Sequence, residues 1–175
     1  MRARSPVPTD APVMGKIHVA AWRAAYDGLM PDDYLAALDV GERAQMWRRL
    51  IARPRDRSRL VVVERDGAVV GFAALGATTD SDNADDLGEL FSINVDPSQW
   101  RSGVGTALLT AVHGDLAALG FTEAILWVHP ENHRARLFYE ESGWRFDETE
   151  RTADVLGVIV PEVRYRKDLT PPKAF

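Results

Sequence analysis

The sequence predicts a mixed α/β protein, one β-sheet with helices on both faces. Three observations carry this. Apolar residues recur at helical 3–4 spacing near the start and then condense into strand-like runs after Leu60. Asp66-Gly67, between two such runs, marks an antiparallel hairpin. The strand–helix–strand unit Leu87–Val128 requires a parallel pair, because a helix joins its strands.

Taken in order, Arg2–Ser5 reads as a short edge strand before Pro6 and Pro8. Thr9 or Asp10 caps a helix running to about Ala25, with Pro12 tolerated in its first turn. Val13, Ile17, Ala20, Ala21 and Ala24 form its buried stripe. Gly28 ends that unit; Pro31-Asp32-Asp33 starts a second helix through Leu38, and Glu42–Ala52 is a third, with Met46, Trp47 and Leu50 apolar. Leu60–Glu64 and Val69–Leu75 flank the Asp-Gly turn, and Thr78–Asp86 is a polar loop. Leu87–Val95 is a strand, ended by Asp96-Pro97 because proline cannot continue the ladder. Gly103–Leu119 is a helix with one apolar face (Val104, Leu108, Ala111, Val112, Leu116) and Gly120 behind it. Ala124–Val128 is a buried strand, and Asn132–Ser142 a helix with Leu137 and Phe138 inward. Trp144–Arg151 and Val163–Leu169 are the last strands.

The 175 residues are 46% hydrophobic and 27% charged, ordinary for a globular chain. They read as one domain, 1–175, with 1–8 and 170–175 as loose ends. The absence of cysteine excludes disulfides, thiolate metal sites and cysteine nucleophiles. A net charge of −5 argues against nonspecific nucleic-acid binding. Met1–Asp10 lacks the apolar run of a signal peptide, and no stretch approaches the ~18 apolar residues of a membrane span. The expectation is a cytoplasmic protein without membrane or nucleic-acid partners; a homodimer stays open. His129 and His133 are separated by Pro130 and a helix start, and His18 and His113 stand alone, so no metal site is expected.

Trp100-Arg101-Ser102-Gly103-Val104-Gly105-Thr106 lies between a strand and a helix. Its glycines allow close backbone approach, and the first helical N–H groups point along the positive end of the helix dipole, so a diphosphate fits there. A simple tight turn explains the same glycines. A dinucleotide-binding turn does not: Leu108 occupies the third glycine slot, five residues separate strand from turn, and Glu123 begins the next strand instead of ending it. No Gly-Lys-Ser/Thr exists for a Walker loop.

Two blocks resemble the GNAT superfamily of acetyl-CoA-dependent N-acetyltransferases. Leu90–Leu109 (LFSINVDPSQWRSGVGTALL) is similar to its strand, pyrophosphate loop and helix. Leu126–Trp144 (LWVHPENHRARLFYEESGW) is similar to its next strand and Asn-containing helix, and Ile17–Leu38 resembles a bacterial subgroup. One position departs: Trp100 stands where the family usually has Gln or Arg. The resemblance implies a mostly antiparallel sheet of about seven strands. It implies that Ile93, Asn94 and Val95 present backbone to the pantetheine arm, and that Arg101, Ser102, Gly103, Val104, Gly105 and Thr106 cradle the phosphates. Asn132 would contact the cofactor, although a helix N-cap is its ordinary use. Tyr139 would protonate the departing CoA thiolate, or else be core. Glu89 would draw the proton from the amine, with Asp86 and Asp85 as fallbacks; its plain reading is a strand-face acid. Trp22 and Tyr26, with Tyr34 nearby, would wall the acceptor pocket, or else pack in the core.

The implied reaction is direct attack of a primary amine on acetyl-CoA, which needs no cysteine and no metal. A lysine-like amine of pKa ~10.4 is neutral only about once in 2,500 at pH 7, a deficit near 4.6 kcal/mol, so a base matters greatly for such an acceptor. Asp80, Asp82, Asp85 and Asp86 with Glu89 would steer a cationic amine, or form a solvated loop. A non-catalytic acyl-CoA sensor and a different CoA or nucleotide-diphosphate enzyme are the alternatives.

Overall fold

The computed structural model describes residues 1–79, 86–155 and 157–170. Its elements are β1 (Arg2–Arg4), α1 (Ala11–Ala25), α2 (Asp32–Ala37), α3 (Val40–Ala52), β2 (Ser58–Arg65), β3 (Ala68–Ala77) and β4 (Leu87–Val95), then α4 (Val104–Ala118), β5 (Glu123–Val128), α5 (His133–Glu141), β6 (Arg145–Val155) and β7 (Val158–Asp168). The seven strands form one sheet in the order β1-β2-β3-β4-β5-β7-β6, and only β4–β5 is parallel. The Asp66-Gly67 turn has φ of 52° and 82°, the left-handed pair that a two-residue hairpin requires.

The chain start, read as edge strand and loose end, pairs with β2 through Arg2–Arg4. Asp10 does not cap α1 with its side chain. Its carboxylate accepts instead from Arg4 Nη1 and the Val7 amide, both at 2.7 Å, which pins β1 to the helix start. The α1 stripe is also rotated from the expected one. Ala11, Met14, Gly15, Ile17, His18 and Ala21 are buried, whereas Ala20 and Ala24 are exposed. The buried side is the one on which α3 packs, closely enough that a Cβ on Gly15 would stand 2.7 Å from the Val40 carbonyl oxygen.

Strand alternation sorts the core into two faces. Val61, Val63, Ala73, Leu75 and Leu90 pack with α4 and α5, while Val62 and Phe72 pack with α1 and α3. On α5 the inward residues are Ala135, Phe138 and Tyr139; Leu137, expected inward, is 56% exposed because it lies on the opposite side of that short helix. The β6–β7 hairpin is longer than the sequence suggested. It includes Pro161: β5 ends at Val128 opposite Val163, so at Pro161 β7 has a neighbour on one side only and tolerates a missing N–H. Among the described residues no helix is long and apolar enough to cross a membrane.

His18 is buried, and its Nδ1 accepts from Trp47 Nε1 at 3.2 Å. Burial first, then the nearby Arg43 charge, lowers its pKa from 6.5 to about 4. The neutral form is therefore favoured in the fold, and this stabilisation is complete above about pH 6.5 and lost as pH falls toward 4. Its size is on the order of 3 kcal/mol. His18→Gln keeps an acceptor for Trp47 without titrating. It should flatten the loss of unfolding free energy between pH 7 and 4.5 by about 2 kcal/mol. An unchanged slope in urea titrations would assign the acid sensitivity to other groups.

Candidate active site

The strand-to-helix loop is held by its own polar groups. Asp96 Oδ1 accepts from the Ser98 amide at 2.9 Å, and Trp100 Nε1 donates to the Val95 carbonyl at 3.0 Å. Arg65, at the end of β2, donates through Nη1 to Ser102 Oγ at 2.9 Å and through Nη2 to the Ser102 carbonyl at 2.7 Å. Arg101 and Gly103 take left-handed φ of 57° and 86°. Such a turn curls successive N–H groups toward one point, an anion-binding concavity. Gly103 caps α4 without a side-chain acceptor, leaving the first helical amides for a ligand. A Cβ on Gly105 would stand 3.0 Å from the Phe138 ring, so α4 and α5 approach closely only because that residue is glycine.

Beyond this turn the sheet opens. β4 and β5 pair only from Leu87–Leu90 with Glu123–Leu126. On its other side β4 shifts register against β3 between Leu90 and Ser92, which leaves Phe91 as an extra, exposed residue. A bulge increases local twist, and the two strands part. A cavity of about 510 Å³ fills the gap and reaches from the turn to α1. On its walls Ser92 Oγ, Asn94 Nδ2 and Trp127 Nε1 are buried without a hydrogen-bond partner among the described residues.

Most of the residues singled out from the sequence meet here. Ile93, Asn94 and Val95 line the cavity from β4, and Arg101, Gly103, Gly105 and Thr106 line it from the turn. Asn132 lines it while serving as the N-cap of α5, its Oδ1 accepting from the Ala135 amide at 3.2 Å. Tyr139 lines it from α5 and is 8% exposed. Burial chiefly, and Tyr26 secondarily, push its phenol above the usual range. Trp22 and Tyr26 form the α1 wall, with ring centroids 5.1 Å apart. Burial and the Glu162 charge raise Tyr26 to about 12.

Three of those residues lie elsewhere. Val104 is fully buried in the α4 core, and Ser102 is engaged by Arg65 and Gln99, so neither side chain lines the cavity and each offers only main chain. Glu89 is buried behind the wall, with its Oε2 accepting from Thr78 Oγ1 at 2.8 Å. Of its fallbacks, Asp86 sits before β4 and accepts from Thr122 Oγ1 at 3.1 Å. Asp85, with the acidic loop positions Asp80 and Asp82, lies outside the described residues.

Sequence reading missed several contributors to the wall, Glu141 and the following four among them. Glu162 comes from the unrecognised part of β7, and Trp127 from the end of β5. Ser92 is the strand neighbour of Asn94. Arg134 lies with its guanidinium carbon 3.3 Å from the centre of the Trp100 ring. Only the period-2 relation of Ser92 to Asn94 carried a sequence signal. Among the described residues no three His, Asp or Glu side chains are grouped to hold a metal ion.

Comparison with known proteins gives a consistent result. Residues 22–144 match the acetyltransferase (GNAT) family. An uncharacterized N-acetyltransferase of Bacillus subtilis is 29% identical over 154 residues, 88% of this chain and 85% of its own. A protein named as a probable N-acetyltransferase of Mycobacterium tuberculosis is 30% identical over 172 residues, 95% of this chain and 92% of its own. The PaiA N-acetyltransferase of Thermoplasma acidophilum, solved in complex with coenzyme A, superposes with a TM-score of 0.77 at 18% identity, covering 95% of this chain and 98% of that one. With the family match spanning most of the chain and its seven-stranded sheet shared by a solved member, this protein belongs to the GNAT family of acetyltransferases.

Proposed function

We propose that the protein moves the acetyl group of acetyl-CoA to a primary amine by direct attack, with both substrates bound together in the cytoplasm. The observation that carries this is the single cavity joining the glycine turn, the parted β4–β5 strands and the α1 wall. Acetyl-CoA supplies an activated thioester when bound; the chain supplies binding, orientation and protons. The amides from Gly103 to Thr106 hold the diphosphate at the α4 N-terminus. The β4 main chain at Ile93, Asn94 and Val95, which lines the cavity, meets the pantetheine arm. Tyr139 presents its hydroxyl to the sulfur. Release of free thiol from acetyl-CoA with a panel of primary amines tests the reading. Acetyl-CoA binding without thiol release for any amine would overturn it.

Trp100 replaces the side chain that usually contacts the diphosphate, and Arg134 takes over its charge. The Trp100 ring lies against the Arg134 guanidinium and orients it from the adjoining helix. Arg134→Met should raise the acetyl-CoA Kd about tenfold, the worth of one charge-assisted hydrogen bond. Trp100→Leu should raise it about threefold. The double variant should cost less than the product of the two, because they share one contact. Calorimetry showing unchanged Kd in Arg134→Met would sink this assignment.

A further inference from the structure

The acceptor end of the cavity contains a carboxylate that the sequence reading did not select. Glu162 lines the cavity beside Trp22, Tyr26 and Trp127. It projects from the stretch of β7 that runs past the end of β5. Among the described residues the other lining carboxylate is Glu141, in the last turn of α5, which also borders a smaller cavity with Thr106 and His113. Glu89 does not line the cavity.

Glu162 is held in place. Arg151, its register partner on β6, donates from Nε to Glu162 Oε2 at 2.8 Å. The guanidinium carbon of Arg151 lies 3.8 Å from the centre of the Trp127 ring, so the arginine is anchored at two points. Among the described residues, the charged and titratable groups around the carboxylate are Arg151 from β6, Tyr26 at the C-terminal cap of α1, and, two residues along β7, Arg164, which is paired with Asp147 at 2.8 Å. The pair Glu162–Arg151 is neutral as a unit. An ammonium placed against the carboxylate gains from it, while each further positive charge also meets the Arg151 guanidinium, so a polycation gains little. The remaining walls are aromatic faces, which accept a flat apolar body or a cation.

We propose that Glu162 is the acceptor-side carboxylate of this site, receiving a primary amine that carries one positive charge on a flat apolar body and taking one proton from it before it attacks. This rests on the acetyl-transfer reading above. In the step, the amine nitrogen bonds to the acetyl carbon as the carbon–sulfur bond breaks. Before that, Glu162 takes one proton from the ammonium, which frees the nitrogen lone pair; the second proton, acidic once the carbon–nitrogen bond has formed, passes to solvent, and the sulfur leaves as a thiolate hydrogen-bonded by Tyr139. Arg151 is a positioning residue, since it acts through the carboxylate it holds.

The test follows thiol release from acetyl-CoA with 2-phenylethylamine, and with spermidine for comparison, between pH 6.5 and 9.5. Wild type should use 2-phenylethylamine with kcat/KM at least tenfold above that for spermidine. Glu162→Gln, which keeps the hydrogen bond to Arg151 and hence the fold, should raise the amine KM at least tenfold. Its loss in kcat/KM should shrink as pH approaches the amine's own pKa, and Glu162→Asp should restore part of it. The Kd for acetyl-CoA should stay within twofold in both. A Glu162→Gln enzyme within twofold of wild type, with the pH-dependent loss appearing in Glu89→Gln instead, would return the base to Glu89. Preference for spermidine would overturn the substrate class. No thiol release with any amine would remove the transfer reading itself, a distinct failure.

Discussion

Gly105→Asp is expected to abolish acetyl-CoA binding, with the Kd rising at least about 100-fold. Two effects act together. The new Cβ would stand 3.0 Å from the Phe138 ring, and Phe138 is itself part of the cavity wall. The added carboxylate would also occupy the positive end of α4 and oppose the diphosphate. The sign of the stability effect separates binding from folding. An acidic residue in the first turn of a helix is favourable by about 0.3–1 kcal/mol, which offsets part of the crowding. Gly103→Asp should lose binding as well but melt lower, because its backbone φ of 86° strains any residue with a Cβ. Gly105→Ala isolates the steric part and should weaken binding far less. Calorimetry on folded Gly105→Asp protein decides the matter; retained affinity would move the diphosphate away from the α4 N-terminus.

Tyr139→Phe is expected to lower kcat about 10²–10³-fold while leaving the acetyl-CoA Kd nearly unchanged. The tyrosine ring stays packed against Trp144 and Tyr165, so the variant removes one oxygen from an otherwise intact wall. The pKa direction refines the role. An ordinary phenol near pKa 10 already transfers a proton uphill to a thiolate of pKa about 8.5, by about 2 kcal/mol. Burial and Tyr26 widen that gap. We therefore infer that Tyr139 stabilises the sulfur by donating a hydrogen bond as charge develops, with solvent completing the protonation later. It follows that the loss in Tyr139→Phe should be constant from pH 6 to 9, since the phenol keeps its proton throughout. A loss confined to high pH would mark full proton transfer, and turnover within threefold of wild type would return Tyr139 to the core.

Much of this protein was legible from its sequence because the relevant signals are local. The Asp66-Gly67 turn, the proline that ends β4, and the glycines around α4 act on backbone angles of their own residues or of the next few, so spacing along the chain suffices to place them. The glycine turn, Asn94, Asn132 and Tyr139 came to one cavity for the same reason: each sits at the end or on the face of an element whose period is readable. Where the periodic signal was short or misleading, the reading slipped, as with Ala20 and Ala24 in α1, Leu137 in α5, and the strand around Pro161. What only the tertiary structure decided is which side chains face each other across elements distant in sequence. Glu89 shares the chemistry of Glu162, yet packing puts Thr78 over the first and leaves the second beside Tyr26 and Trp127. Arg134 meets Trp100 because α5 docks beside the α4 turn, and Gly105 allows it. Such contacts depend on how strands part and helices dock, and residue type and local spacing do not encode that distance.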